Sequence, residues 1–141
     1  MKNMKRVFIL VLALIMAFGV VEAASAATIN FTFTNFQETN QTRSTSVSKF
    51  HTEYTVNIDS SSTVSTVNIF GFRARREDKN DLRVSPYKTM NYTGTRTVSY
   101  YTDELQKDTG DSNTVTVFLK GKKDNSSTYG GPLNVWGTFT P

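Results

Sequence analysis

The residue types that carry most enzyme chemistry are scarce in this sequence of 141 residues, which contains no cysteine and only one histidine, His51. A serine hydrolase needs a histidine base held against its nucleophile, and no nucleophile-elbow motif accompanies the abundant serines. Zinc sites usually draw several His or Cys ligands. His51 is predicted to lie on the solvent-facing side of a strand. We therefore predict a protein that is not an enzyme and has no catalytic, cofactor-binding or metal-binding residues.

Oxygen ligands for calcium are grouped in one short segment. Five candidates fall within eleven residues: Asp103, Glu104, Asp108, Asp111 and Asn113. Their spacing does not match the EF-hand loop, and Lys107 would oppose a bound cation. The segment is therefore predicted to be a solvated turn. Paired carboxylates such as Glu53 and Glu104 would serve glycoside hydrolysis only at a defined spatial separation, which one sequence does not supply.

Cationic and aromatic side chains are better candidates for function, through binding. Residues 73–83 are the most charged stretch, with both signs interspersed, and are predicted to form a hairpin tip. This tip is a solvated loop that protects a sheet edge, a contact site for an anionic partner, or a protease-sensitive tip at Arg75–Arg76. Tyrosine and tryptophan suit recognition of sugars or proteins, although they also pack at sheet boundaries. The candidate interaction surface comprises Tyr87, Tyr92, Tyr100, Tyr101, Trp136, Arg73, Arg75 and Arg76.

The elements that must position these side chains are strands, because apolar and polar residues alternate along most of the chain. The predicted strands are 28–33, 50–58, 64–75, 87–92, 96–101, 114–120 and 133–139, with Gly71 at a bulge or with both faces covered near Phe70. Residues 37–48 are predicted to be a flexible loop or a frayed strand, and residues 103–107 allow one helical turn. The aromatic core is predicted to contain Phe31, Phe33, Phe50, Tyr54, Phe70 and Phe72.

This pattern predicts an all-β fold, a small antiparallel β-sandwich of about seven strands or a small barrel, in one domain over residues 27–141. Residues 1–26 have the three parts of a cleavable signal peptide: a basic start, an uncharged run over 7–21 and small residues at Ala24 and Ala26. Removing its three basic residues and one acidic residue lowers the net charge from +4 to +2. We expect a secreted protein with no nucleic-acid partner and no stable membrane insertion.

The two ends of the chain carry a resemblance. An Ala-rich signal is followed by Ile29-Asn30-Phe31-Thr32-Phe33, and the chain ends on a strand with Trp136, Gly137 and Pro141. This layout resembles poorly characterised small exported β-rich proteins of Gram-positive bacteria and is broadly similar in plan to lactococcin-type β-sandwich bacteriocins. The resemblance implies a bacterial exported β-sandwich. Two hypotheses follow: a non-enzymatic protein that binds an extracellular protein or cell-wall component at the envelope, or a secreted bacteriocin-like antimicrobial protein.

Overall fold

A computed structural model describes residues 26–34 and 40–141 of the chain. One antiparallel sheet has four strands in the order β1, β10, β4, β8. Their bounds are Ile29–Phe33 for β1, Glu53–Ile58 for β4, Gly94–Ser99 for β8 and Val135–Thr140 for β10. The proposed signal peptide, apart from Ala26, lies outside the described residues.

The second antiparallel sheet is built around the longest strand, β9 (Thr114–Lys123). One edge of β9 pairs with β2 (Asn40–Gln41) and β3 (Thr45–Ser48), and the other pairs with β5 (Phe70–Arg76). The far edge of β5 pairs with β6 (Leu82–Arg83) and β7 (Lys88–Met90). A single helical turn, α1 (Thr102–Gln106), joins β8 to the segment before β9.

Side chains of both sheets form one hydrophobic core. The rings of Phe31 and Phe33 on β1 lie 6.4 and 6.2 Å from the ring of Phe70 on β5, measured between centroids. Within the first sheet, the rings of Tyr54 and Phe139 meet edge to face at 5.6 Å. Burying aromatic and branched side chains between the sheets is the main favourable contribution to folding of a chain without disulfides. The prediction of an all-β fold with antiparallel sheets is confirmed.

The strand that was expected to begin at residue 64 begins at Phe70. Residues 64–69 instead form a tight turn closed by the Ser65–Asn68 bridge, which leaves Val67 exposed. The polar segment before residue 48, expected as a loop or frayed strand, supplies the short strands β2 and β3. Short strands of this kind escape detection because two to four residues are too few to show alternation.

Phe50 was predicted to lie in the core and is 61% exposed. A turn closed by the hydrogen bond from the His51 N–H to the Ser48 carbonyl carries Phe50 away from the core. The Lys49 ammonium lies 5.3 Å from the centroid of its ring. The alternation over 50–58 is therefore correct for residues 54–58 but was extended too far towards the N-terminus.

Gly71 lies in a regular part of β5 rather than at a bulge, since its neighbours stay in register with β7 and β9. The Tyr87 hydroxyl oxygen lies only 1.6 Å from the position that a Cβ at residue 71 would occupy. Glycine is thus required because a ring from the same sheet crosses the strand at this point. The alternative expectation, that both faces are covered near Phe70, is the correct one.

Candidate anion-binding groove

Strand alternation places a row of cations on the outer face of the second sheet. On β5, Arg73 and Arg75 point outward and are partly exposed, while Phe72 and Ala74 are fully buried. Lys120 on β9 is the direct neighbour of Arg73. Arg73, Arg75 and Lys120 line a groove of about 250 Å³. Its lining comprises Gly71, Arg73, Arg75, Arg83, Tyr87, Lys120, Gly121 and Lys122.

Several of these cations are paired by the sheet register with other cations. Arg73 lies opposite Lys120, and Arg75 lies opposite Arg83. Like charges directly opposite each other on adjacent strands are destabilising. Burial, followed by the positive charges of Arg83 and Arg75, lowers the pKa of Arg73. The groove therefore concentrates positive charge at some expense to the stability of the sheet.

Asp81 neutralises one half of the groove. One of its carboxylate oxygens lies 2.8 Å from Arg75 Nη1 and 2.8 Å from Lys120 Nζ. Arg75 also donates a hydrogen bond to the Asp81 carbonyl. Within the described residues, Arg73, Arg83 and Lys122 form no ion pair. The other half of the groove thus keeps three cations without a carboxylate in contact.

Tyr87 stands at the centre of that second half. Its ring centroid is 5.0 Å from the Arg73 guanidinium carbon and 5.9 Å from Lys122 Nζ, both within cation–π range. Its hydroxyl donates a 2.7 Å hydrogen bond to Asp124. Burial, together with the bond to Asp124, raises the pKa of Tyr87. Tyr87 therefore remains a neutral phenol that fixes the two cations in place.

The second carboxylate, Asp124, is also engaged. Burial acts to raise the pKa of Asp124, but hydrogen bonds from the side chain and backbone of Ser126 and from Tyr87 outweigh it and lower that pKa. Asp124 is therefore ionised and partly balances the nearby Lys122. Five cationic side chains against the two carboxylates Asp81 and Asp124 leave +3 at this face.

The predicted interaction surface is only partly assembled. Arg73, Arg75 and Tyr87 come together in the groove. Tyr101 is exposed and lines an adjoining, more open depression beside the Asp81 turn. Tyr92 is exposed but does not line either hollow, and Trp136 lies half-buried on β10 of the other sheet. The eight residues therefore do not form one surface.

Arg76 was predicted to be an exposed contact residue, and this is wrong because its side chain is completely buried. It follows Phe72 and Ala74 on the inward face of β5, so the strand parity decides its direction. Its guanidinium binds Asp78 and three backbone carbonyls at the end of α1. The Arg75–Arg76 pair consequently lies within a paired strand rather than at a protease-sensitive tip.

Tyr100 was likewise predicted to be available for contact and is only 5% exposed. It continues the inward face of β8 after Val98, and its ring packs against Tyr54 with centroids 5.0 Å apart. Its hydroxyl has no hydrogen-bond partner among the described residues. Burial raises the pKa of Tyr100 well above its usual range. Tyr100 is therefore a core residue.

The predicted interaction surface left out four groove residues, Asp81, Arg83, Lys120 and Lys122, although Asp81 and Arg83 lie in the charged stretch 73–83 for which a contact site was one of the alternatives. One signal could have found two of them, since Lys120 and Lys122 share one side of β9 as Arg73 and Arg75 share one side of β5. The two rows become a single groove only because β5 and β9 are neighbours.

The structure places His51 outside the groove. His51 lies partly buried in the turn before β4. Among the described residues, no three His, Asp or Glu side chains are close enough to hold a metal ion. No helix within residues 26–34 and 40–141 has the length and apolar character needed to cross a membrane.

Comparison with known proteins gives no match: no family model, no curated protein and no solved structure resembles the chain significantly. The resemblance to exported β-rich proteins and bacteriocins therefore stays a prediction.

Proposed function

We propose that the chain is a non-enzymatic binding protein, exported by a bacterium, that attaches to an anionic component of the cell envelope through the groove on its second sheet. The observation that carries this proposal is the cluster of Arg73, Arg83 and Lys122, three cations from three strands that have no ion-pair partner among the described residues. Two of them, Arg73 and Lys122, lie against the ring of Tyr87, whose hydroxyl donates a hydrogen bond to Asp124.

In this proposal an anionic ligand supplies the negative charge that the fold does not place beside Arg73, Arg83 and Lys122. A sheet that needed only solubility would intersperse its charges, whereas here the register sets cation against cation. Local rules are typically violated in this way at functional sites, where binding offsets the loss of stability. The strands hold the side chains in place before the ligand arrives, so little ordering is needed on binding. An anionic ligand in contact with these side chains would relieve their mutual repulsion.

Retention on isolated bacterial cell walls tests this proposal. The double variant Arg83→Gln/Lys122→Gln is expected to lose about a hundredfold or more in affinity for the walls, since each of the two charge-assisted hydrogen bonds contributes roughly 1.5–3 kcal/mol. Retention of the unchanged protein is expected to weaken with salt.

The matched control is Arg43→Gln/Lys107→Gln, which removes the same charge from exposed positions outside the groove. We expect this control to bind as the unchanged protein does. Equal losses in the two double variants would show that only net charge matters and would contradict a role for the groove.

Export is tested separately by expressing the full chain in a bacterium and sequencing the N-terminus of the protein in the medium. The small residues Ala24 and Ala26 favour cleavage after Ala26, so we expect the secreted form to begin at Ala27. Ala26→Arg is the matched variant and is expected to retain the chain in the cell-associated fraction with its N-terminus intact. Recovery of the unchanged protein only inside cells would contradict the envelope location while leaving the groove argument unaffected.

A further inference from the structure

Resting on the proposed function, we propose that the group bound in the groove is a phosphate, held by Arg73, Arg83 and Lys122, and that Asp81 limits the affinity for it by keeping Arg75 and Lys120 in ion pairs. The three cations line the same groove. Arg73 and Lys122 both lie against the Tyr87 ring, and Arg83 exerts the largest electrostatic effect of any charged side chain on Arg73.

The number and placement of these cations fit phosphate better than carboxylate. The carboxylate that the groove already holds, Asp81, is matched by two cations, Arg75 and Lys120. A single carboxylate would offer the remaining three cations one charge and two oxygens. A phosphate offers up to two charges and three or more oxygens in a tetrahedral arrangement, and arginine forks bind such oxygens in pairs.

Stacking of a neutral sugar or a base is a poorer fit to the groove. The only aromatic side chain in its lining, Tyr87, already contacts Arg73 and Lys122. Its hydroxyl end lies against the backbone of Gly71. The ring is therefore used to position cations and is not free to act as a platform for a flat ligand.

Asp81 acts as a built-in anion at the edge of this site. Asn80 and Asp81 both have left-handed backbone conformations, with φ of 50° and 66°, which turn the chain so that the carboxylate returns over the sheet. Its second carboxylate oxygen is buried without a hydrogen-bond partner among the described residues. Asp81 thus holds Arg75 and Lys120 away from the ligand and adds a negative charge beside it.

Titration of the purified protein with inorganic phosphate, followed through the arginine side-chain N–H signals by NMR, tests the inference. We expect saturable shifts of the Arg73 and Arg83 signals at concentrations where acetate causes none. Arg83→Gln and Lys122→Gln should each weaken phosphate binding about tenfold, the loss expected for one charge-assisted contact. The matched controls Arg43→Gln and Lys107→Gln should leave it unchanged.

The variant Asp81→Asn distinguishes a specific role of Asp81 in the groove from a general effect of the net charge of the protein. It is expected to strengthen phosphate binding about tenfold, because Arg75 and Lys120 then join the site and a repelling carboxylate is lost. Asp111→Asn removes one negative charge from an exposed position outside the groove and should change binding little. Equal strengthening by both variants, or no strengthening by Asp81→Asn, would overturn the role given to Asp81.

Two further arms distinguish the source of the phosphate. Linear polyphosphate, whose terminal groups have three non-bridging oxygens, represents a soluble polymer, and vesicles of phosphatidic acid in phosphatidylcholine, whose headgroup is a phosphate monoester, represent a lipid headgroup. If the unchanged protein binds polyphosphate or the vesicles and the variant Arg83→Gln/Lys122→Gln does not, the inference is supported. The probe that binds then identifies the source of the phosphate.

Polyglutamate of matched charge is the probe that separates the two proposals. If it binds as tightly as polyphosphate, and both are lost in the double variant, phosphate specificity is wrong while the anion-binding function stands. If the double variant binds cell walls and inorganic phosphate as well as the unchanged protein does, both proposals fail.

Discussion

Replacing Arg76 by alanine is expected to lower the free energy of unfolding by about 3 kcal/mol or more, because each carbonyl left without its buried donor costs roughly 1–3 kcal/mol. The guanidinium is fully buried and lies 3.0 Å from one oxygen of Asp78 and 2.5 Å from the other. Its Nη1 lies 3.2, 3.1 and 2.7 Å from the carbonyl oxygens of Glu104, Leu105 and Lys107. Alanine would leave these carbonyls without their donor and open a cavity beside them.

The carbonyls, rather than the ion pair, account for most of this expected loss. Asp78 is 41% exposed, so water can solvate its carboxylate when Arg76 is absent. The carbonyls at the end of α1 belong to a helix of one turn, whose last C=O groups have no partner further along it. Arg76 therefore fastens α1, with its fully buried Leu105, to the end of β5.

Urea denaturation followed by circular dichroism measures this loss. Asp78→Asn is the informative companion variant and is expected to cost less than Arg76→Ala, because the buried guanidinium loses its carboxylate but keeps its hydrogen bonds to the three carbonyls. The hydrogen bond from Arg76 is the main cause that lowers the pKa of Asp78. The stability contributed by the Asp78 carboxylate should therefore be present at neutral pH and fade as the solution becomes acidic. An Arg76→Ala loss no greater than that of Asp78→Asn would contradict the fastening role.

The course of most strands could be predicted from the sequence because alternation is a local property. Along β9, Val115, Val117 and Leu119 were expected on one face and are all buried. The same alternation also indicates the correct direction of two further side chains, but the prediction did not apply it to them. Arg76 shares the face of Phe72 and Ala74, and Tyr100 shares the face of Val98, so alternation alone places both inside.

The error came from judging these two residues by chemical type rather than by position. A buried arginine needs partners, and besides Asp78 those of Arg76 are backbone carbonyls 28 to 31 residues away in the chain. Nothing near Arg76 in the sequence reveals that α1 will lie there. Tyr100 is buried even though its hydroxyl has no partner in the described structure, an arrangement that hydrogen-bonding rules argue against.

The groove could not be predicted for a different reason. The pairs Arg73 with Arg75 and Lys120 with Lys122 are visible as alternating cations in two predicted strands. Their meeting depends on β9 being the neighbour of β5, and on a register that sets Arg73 opposite Lys120. Strand order and register are set by packing of the whole core, so they are not local properties of either segment.

The protein is expected to unfold in alkaline solution between about pH 10 and pH 12, because two tyrosines are held neutral in its core. Tyr54 and Tyr100 are 1% and 5% exposed. Burial is the main cause that raises the pKa of Tyr54 to about 12, and it is only partly opposed by the hydrogen bond with Ser85. Burial, followed by the proximity of Tyr54, raises the pKa of Tyr100.

Ionisation of Tyr54 would also disrupt a polar link between the two sheets. Its hydroxyl lies 2.9 Å from the Ser85 hydroxyl, which accepts a 2.8 Å hydrogen bond from the Ala74 N–H on β5. The Ser85 hydroxyl lies 3.2 Å from the Pro86 carbonyl, to which it donates. If Ser85 turns its proton towards a Tyr54 phenolate, the bond to Pro86 is lost. The phenolate would still be largely desolvated, since Tyr54 is buried.

The direction of the pH effect follows from the folded pKa values being higher than that of an unfolded tyrosine, about 10. Below pH 10 both states keep their phenolic protons, and the stability contributed by the neutral side chains is fully present. Above it the unfolded chain releases protons that the folded protein retains, so stability falls by about 1.4 kcal/mol per pH unit for each tyrosine. Over two pH units the two side chains together remove about 5 kcal/mol, comparable with the whole stability of a small domain.

A pH titration that follows tyrosinate absorbance and circular dichroism together measures this transition. The absorbance contributed by Tyr54 and Tyr100 should appear only as the β-sheet signal disappears. Tyr100→Phe should keep its stability at neutral pH, since the hydroxyl that it removes has no partner among the described residues, and should unfold at higher pH. Tyr129→Phe, altered at a side chain that is 51% exposed, should unfold at the same pH as the unchanged protein. Complete ionisation of all six tyrosines with the sheet signal intact would show that the phenols of Tyr54 and Tyr100 are not held neutral by the fold.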